Sequence, residues 1–304
     1  MINLKDKRIL VTGGAGFVGR HLVRNLIEER GVLEKNIFIP RSAELDLRIK
    51  ENAEKAVKGI DIIFHLAALS GGIGFSVSHP GQMFYDNAMM GLNLIESAKA
   101  AKVEKFINIG SYNEYPKDAP MPLREENLWD GLPEISFLPY GMAKKMLLVQ
   151  LQSYRKESGF NGIHLLMASM FGPGYDVNNT NLIPSLIRQI EKSKKEKLPV
   201  VGWGTGKATR DFLYVEDAVE GIILAAEKYD KSEPVNIGSG REVSIKEIIT
   251  TLCRLMSFEG EIKWDSTKPE GQLRYIMDSS RAKTEFGFSP SVKLEEGLKR
   301  TIHA

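Results

Sequence analysis

Short apolar runs alternate along this chain with longer stretches in which apolar residues return every three or four positions. The runs Arg8-Ile-Leu-Val-Thr12, Asn36-Ile-Phe-Ile-Pro40, Asp61-Ile-Ile-Phe-His-Leu66, Lys105-Phe-Ile-Asn-Ile109 and Gly162-Ile-His-Leu-Leu-Met167 have the length and β-branched content of buried strands. Helical spacing follows the first run to about Arg30, covers Tyr85 to Ala101, and begins again at Pro139, where proline followed by Met, Ala, Lys and Leu marks a helix start. Strand and helix in alternation, with no internal repeat, predict an α/β fold with a doubly wound parallel sheet. Arg210-Asp-Phe-Leu-Tyr-Val215 and Pro234-Val-Asn-Ile237 read as returns to that sheet, and a loop is expected over Asp176 to Asn181, with a helix from about Pro184.

The first strand runs into Gly13-Gly-Ala-Gly16-Phe-Val-Gly19 and then a helix, a context that raises a glycine motif above coincidence. Gly13 permits the tight turn, Gly16 lets the backbone approach a pyrophosphate, and Gly19 lets the helix pack close to the strand. The helix N-terminus, opened by Phe17 and Val18, offers free amides to phosphates. The spacing is Gly-x-x-Gly-x-x-Gly rather than Gly-x-Gly-x-x-Gly. At the end of the second strand, where a carboxylate would bind the ribose 2′-hydroxyl of NAD, stands Arg41. A guanidinium there favours a 2′-phosphate, so NADP is preferred and NAD remains open; the alternative is an arginine that simply faces solvent. Asp46, beside Leu47, is placed to accept from an adenine amino group. Leu66, Ala67 and Ala68 close the third strand, with small residues that let the backbone pass under a cofactor. His65 is expected to pack within that strand.

On this reading 1–171 and about 210–238 form a dinucleotide-binding domain of Rossmann type. About 172–209 and 239–304 form a smaller C-terminal α/β lobe over the cleft. Ligands of such sheets bind beyond the carboxyl ends of the strands, where Ser111 ends one strand and Tyr140 lies on the following helix. Tyr140 and Lys144, four residues apart, share a helix face. An ammonium favours a neighbouring phenolate, so the tyrosine is expected to deprotonate more easily than usual. Such a pair can pass a proton to or from a sugar oxygen while a dinucleotide carries hydride. By itself Tyr-x-x-x-Lys also occurs on ordinary solvated helix faces.

Composition narrows the field without choosing within it. The 304 residues are 42% hydrophobic and 26% charged, enough for a sizeable core. A net charge of +2 with no basic block argues against a nucleic-acid partner. Glu191-Lys-Ser-Lys-Lys-Glu-Lys197 mixes signs like an exposed helix end. The single cysteine, Cys253, lies in an apolar helical run and reads as a buried thiol. No leader pattern precedes Lys5 and no apolar run approaches the ~20 residues of a membrane span, so a soluble, cytoplasmic protein is expected, with no membrane partner and no metal.

The glycine motif, the serine at a strand end and Tyr-x-x-x-Lys together resemble the extended short-chain dehydrogenase/reductases that act on nucleotide sugars. The stretch Gly202-Trp-Gly-Thr-Gly-Lys-Ala-Thr-Arg-Asp-Phe-Leu-Tyr-Val-Glu-Asp217 resembles their C-terminal signature. Within them, Arg41 to Leu47, Ala67 to Ile73, Tyr115-Pro116 and Asn181-Leu-Ile-Pro184 look most like the NADP-dependent GDP-fucose synthase branch, which epimerises and reduces a GDP-4-keto sugar. The resemblance implies that Ser111 hydrogen-bonds the sugar O4, Tyr140 donates the proton and Lys144 holds the nicotinamide ribose. It implies that Trp203 packs on the base and Arg210 contacts the diphosphate, with Asn181, Arg188 and Arg274 in the same substrate-binding set. Lobe-core packing for Trp203 and an ion pair of Arg210 with Asp211 or Glu216 are the blander readings. A homodimer through the helices at Tyr85–Ala101 and Tyr140–Tyr154 is also implied.

Two departures matter. The branch carries a cysteine and a histidine, the acid/base pair for epimerisation at C3 and C5, at the places held here by Asn113 and Asn181. An amide has no useful proton affinity near neutral pH. The glutamate of dehydratase relatives is also missing, since Glu114 is one position off register and alternation on an extended segment would aim it away. The expectation is therefore NADP-dependent reduction at C4 of a nucleotide-linked 4-keto sugar, GDP-linked, without epimerisation. A C4-epimerase or 4-dehydrogenase with bound NAD is the alternative enzyme, and a non-catalytic dinucleotide-binding regulator is the alternative class.

Overall fold

The computed structural model describes residues 1–175, 181–268 and 272–303. The loop expected over Asp176 to Asn181 lies, up to residue 180, outside them. The first half of the chain folds as β1 (Ile9–Thr12), α1 (Phe17–Glu28), β2 (Ile37–Phe38), α2 (Lys50–Ala56), β3 (Ile62–His65), α3 (Ile73–Ser78), α4 (Pro80–Ala100) and β4 (Lys105–Ser111). It continues through α5 (Leu138–Ser158), β5 (Gly162–Met167), β6 (Ser169–Phe171), α6 (Leu182–Glu196), β7 (Val200–Trp203) and β8 (Thr209–Tyr214). The remainder is α7 (Val215–Lys228), β9 (Val235–Ile237), β10 (Glu242–Ser244), α8 (Ile245–Leu255), β11 (Ile262–Asp265), α9 (Ser280–Phe286) and α10 (Leu294–Ile302).

Six strands form one sheet in the order β2-β1-β3-β4-β5-β9, every pair parallel. Alternation along each strand builds two cores at once. Ile9, Val11, Ile62 and Phe64 face one side, where Leu22 and Leu26 of α1 and Ile222 and Ile223 of α7 cover them. Leu10, Ile63 and Phe106 face the other, against Ala53 and Ala56 of α2, Leu94 and Ile95 of α4, and Leu147 and Leu151 of α5. This is the doubly wound sheet that the sequence predicts. The order reverses between β1 and β3, which opens a crevice at the carboxyl ends of those strands.

One strand departs from expectation. Residues 210–215 do not return to the main sheet; β8 pairs with β6 and β10 in a separate three-stranded sheet. The edge of β5 is already taken by β9, and the chain leaves that edge at Ala168, whose amide donates to the Ile237 carbonyl at 2.9 Å. A third core, with Ile183, Leu186, Val200, Phe212, Ile248, Leu252 and Leu298, surrounds this small sheet, and Cys253 is buried in it with its thiol pushed up by burial. His65 packs as expected: its Nδ1 meets the Thr12 hydroxyl at 2.8 Å, and burial, with Lys144 second, holds the ring down at about 3. No helix among the described residues is long and apolar enough to cross a membrane.

The C-terminal segment is pinned by one carboxylate. Asp217, buried in the first turn of α7, accepts from the Ser291 amide (3.0 Å), the Ser291 hydroxyl (2.9 Å) and the Val292 amide (2.9 Å). Asp217→Ala strands those donors and is expected to cost about 2–3 kcal/mol. Equilibrium urea unfolding checks this, and an unchanged midpoint contradicts it.

Candidate active site

A cleft of about 1090 Å³ runs from the glycine turn, along the carboxyl ends of β1, β3 and β4, to the small sheet. At its floor Gly13 has φ +70°, and a Cβ there would stand 2.8 Å from the Ala67 amide nitrogen. A Cβ on Gly19 would collide with the Gly13 carbonyl, so α1 can approach β1 only through glycine. The N-cap of α1 is Gly16; no side chain caps the helix and no acidic residue sits in its first turn, which leaves its amides directed at the cleft. These features fit a dinucleotide pyrophosphate. Phe17 of the same turn stacks on Tyr175 with ring centroids 3.9 Å apart.

At the adenosine end Arg41 is exposed on the cleft wall beside Ser42, Asp46 and Leu47. Asp46 is less available than the sequence suggests. Arg48 binds it in fork geometry, Nε to Oδ1 at 3.0 Å and Nη2 to Oδ2 at 2.6 Å, and also reaches Asp86 at 3.0 Å. The guanidinium holds the Asp46 carboxyl below the usual carboxylate range, so this side chain arrives already paired rather than as a free acceptor for adenine. Arg48 itself lines the cleft. Sequence reading passed over it, although a second arginine seven positions after Arg41 on the same loop was a usable signal.

The catalytic candidates meet at the end of β4. Lys144 is buried, and its Nζ donates to the Ile109 carbonyl at 2.9 Å, which ties α5 to β4. Ser111, the last residue of β4, is only 9% exposed, and its hydroxyl accepts from the Asn113 amide at 3.2 Å. Tyr140 lies one helical turn before Lys144, whose Nζ is 5.9 Å from the phenol ring centre. The proton affinities differ from the expectation. Burial, followed by the Glu114 carboxylate and Tyr112, pushes the Tyr140 phenol above its ordinary range. The ammonium is turned to the Ile109 carbonyl, and the phenol is governed by its own desolvation. Burial also lowers Lys144, to about 8, against an opposing pull from Glu114.

Glu114 differs in its local geometry as well. Residues 112–114 form a short 3-10 turn rather than an extended segment, and the side chain points into the core, fully buried. It therefore does face away from the cleft, but through the turn and not through strand alternation. Asn113 and Asn181 both line the cleft, Asn181 at the N-cap of α6, where it hydrogen-bonds Tyr175. Trp203, 54% exposed at the end of β7, and Arg210 of β8 line its far end. Arg210 is set by donation to the Thr209 and Gln272 carbonyls, each at 2.7 Å. The structure thus gathers the glycine turn, Arg41, Asp46, Leu47, Leu66, Ala67, Ala68, Ser111, Asn113, Tyr140, Lys144, Asn181, Trp203 and Arg210 around one cavity. Two expected residues are not on its wall. Arg188 donates to the Ser185 hydroxyl at 3.2 Å on α6, and Arg274 is held by Glu242 at 2.6 and 2.7 Å.

The sequence model of the NAD dependent epimerase/dehydratase family matches residues 9–238. The chain belongs to this family. Over its whole length it is 35% identical to a GDP-L-fucose synthase from Sinorhizobium fredii, covering 97% of that protein. It is 30% identical to a GDP-L-colitose synthase from Yersinia pseudotuberculosis, over 97% of this chain and 96% of the relative. Among solved structures, a GDP-6-OMe-4-keto-L-xylo-heptose reductase from Campylobacter jejuni superposes with a TM-score of 0.90 at 25% identity, covering 98% of this chain and 97% of that one. A GDP-mannoheptose C4 reductase from the same organism, with NADP bound, gives 0.87 at 26% identity and 98% coverage of both chains.

The resemblance assigns the nicotinamide ribose to Lys144, and that expectation has a measurable consequence. With its amine lowered to about 8, the charge is present below that pH and lost above it. NADPH affinity, read from cofactor fluorescence, is expected to fall as pH rises through about 8, and Lys144→Met is expected to bind weakly without that fall. Affinity in the wild type that stays level to about pH 9.5 contradicts this assignment.

Proposed function

We propose that the protein is an NADP-dependent reductase that acts at C4 of a GDP-linked 4-keto sugar and leaves C3 and C5 unepimerised. The observation that carries this reading is the composition of one cleft wall. Ser111, Tyr140 and Lys144 line the same cleft as the glycine turn, and so do Asn113 and Asn181, the residues that stand where the resemblance would put an epimerising acid/base pair. The GDP-sugar relatives and the two C4 reductase neighbours support it.

The bound dinucleotide supplies the hydride. The Ser111 hydroxyl donates to the substrate O4 and orients the carbonyl. Tyr140 then gives its proton to O4 as negative charge develops there, and the phenolate is reprotonated from solvent. A phenol raised by burial enters the step protonated at neutral pH, which is the form a reduction needs. Lys144 holds the ribose and offsets the transient phenolate. Trp203 offers a π-face to the base and Arg210 a guanidinium to the diphosphate. Neither asparagine can take a proton from carbon, so the sugar leaves with its C3 and C5 configurations unchanged.

Arg41 on the adenosine wall supports NADP over NAD, and thus a reductase over an epimerase that keeps its NAD. Exposed Phe84 and Tyr85 of α4 and Val149 of α5 support pairing with a second copy through those helices.

Tyr140→Phe is expected to lower turnover at least ~100-fold while NADPH binding stays within about threefold; retained turnover refutes the proton-donor role. With the wild type in D2O, no deuterium is expected at C3 or C5 of the 4-keto sugar by NMR, and its appearance there would overturn the reading of the two asparagines. Arg41→Ala is expected to weaken NADPH at least ~10-fold and leave NADH nearly unchanged, as loss of a charge-assisted hydrogen bond requires; equal effects on both cofactors contradict it.

A further inference from the structure

Beneath the catalytic turn lies a hydrogen-bonded chain of fully buried polar groups that the reaction as described does not use. Asn108 Nδ2 of β4 lies 2.8 Å from His164 Nδ1 of β5, and with the amide donating there the ring keeps its proton on Nε2. That Nε2 lies 3.0 Å from Glu114 Oε2 and 3.2 Å from Oε1. The same Oε1 accepts from the Ser111 amide at 2.7 Å. Asn108 and Glu114 are 0% exposed and His164 1%. The space is closed: a Cβ on Gly110 would collide with both the His164 ring and the Glu114 carboxylate. On the other side of the turn, a Cβ on Gly141 of α5 would collide with the Asn113 carbonyl, so the turn sits directly against the helix that carries Tyr140 and Lys144.

We propose that Glu114, held by His164, is a positioning residue for this active site: its carboxylate fixes the Ser111 turn against α5 and so supports the hold of Lys144 on the cofactor. The proposal rests on the roles given above to Ser111, Tyr140 and Lys144. A carboxylate removed from water persists only where donors and opposite charge compensate it. Here the Ser111 amide and the imidazole supply the donors. The charged and titratable groups around the pair come from every packed element. Lys144, Lys145 and Tyr140 of α5 and Tyr115 beyond the turn feel the Glu114 carboxylate, and His65 of β3 feels Lys144. Among these, Glu114 is the group that opposes the effect of burial on Lys144, and it also favours the protonated phenol of Tyr140. Burial remains the larger influence on both groups, and the Glu114 carboxylate adds to it at Tyr140 and opposes it at Lys144.

The test is the pH dependence of NADPH binding, followed by cofactor fluorescence. It does not involve the sugar, so failure to reduce a GDP-linked 4-keto sugar would count against the proposed function and leave this measurement standing. Glu114→Gln keeps the shape and an acceptor for the Ser111 amide but removes the charge. The alkaline loss of affinity is expected to begin roughly one pH unit lower than in the wild type, since an amine without its counter-charge deprotonates earlier. His164→Leu, which strips the carboxylate of its imidazole donor, is expected to move the limb the same way. His164→Gln, whose amide can donate to Glu114 and accept from Asn108, is expected to restore it. A purely structural role would lower thermal stability without moving the limb, so a limb at the wild-type position in Glu114→Gln overturns the proposal. Should Glu114→Gln yield no folded protein, the two His164 variants decide: displacement in the leucine variant with restoration in the glutamine variant supports it, and identical limbs in both overturn it.

Discussion

The hydrogen bond from the Lys144 ammonium to the Ile109 carbonyl, 2.9 Å long and closed off from water, sets the geometry on which the rest of the site depends. It joins the first turns of α5 to the last turn-bearing residues of β4, and so places a helix-borne phenol beside a strand-borne serine. A lysine can occupy that position only because its stem packs in the core while its head meets a carbonyl and the field of Glu114. The glycine turn at the end of β1 performs the matching task for the cofactor, because α1 reaches β1 only where no side chain intervenes. Two unrelated packing constraints thus converge on one crevice at the reversal point of the sheet.

The electrostatics follow from burial more than from pairing. A lysine one turn from a tyrosine would, in water, make the phenol more acidic. In this cleft desolvation acts on both groups, raising the phenol and lowering the amine. The raised phenol enters a reduction protonated, as a proton donor must, while the lowered amine stays cationic only below about pH 8.

The parts of the molecule that local chemistry dictates were legible in the sequence. The spacing from Gly13 to Gly19 is imposed by backbone approach, the Tyr140–Lys144 interval by helical pitch, and the position of Ser111 by the end of an apolar run; the structure gathers all of these on one cavity wall. What the sequence could not show depends on which elements become neighbours. β8 reads as a main-sheet strand, and only the occupation of the β5 edge by β9 sends it elsewhere. Asp46 reads as a free acceptor because the contact of Arg48 with Asp86 on α4, which holds that guanidinium in place, joins residues thirty-eight positions apart. The Tyr140 shift is the balance of a burial that no spacing reveals. Glu114 and His164 are separated by fifty positions, and nothing short of the β4–β5 register brings them together.

The central claim is that hydride passes to C4 of a GDP-linked 4-keto sugar at the Ser111–Tyr140–Lys144 wall. The most direct measurement is to supply the wild-type protein with NADPH deuterated at nicotinamide C4 on the transferring face and to examine the sugar product by NMR. Deuterium at sugar C4, with one NADP⁺ formed per sugar reduced, is the predicted result. A product without deuterium at C4, or a sugar interconverted at C4 with no net oxidation of the cofactor, would contradict the account.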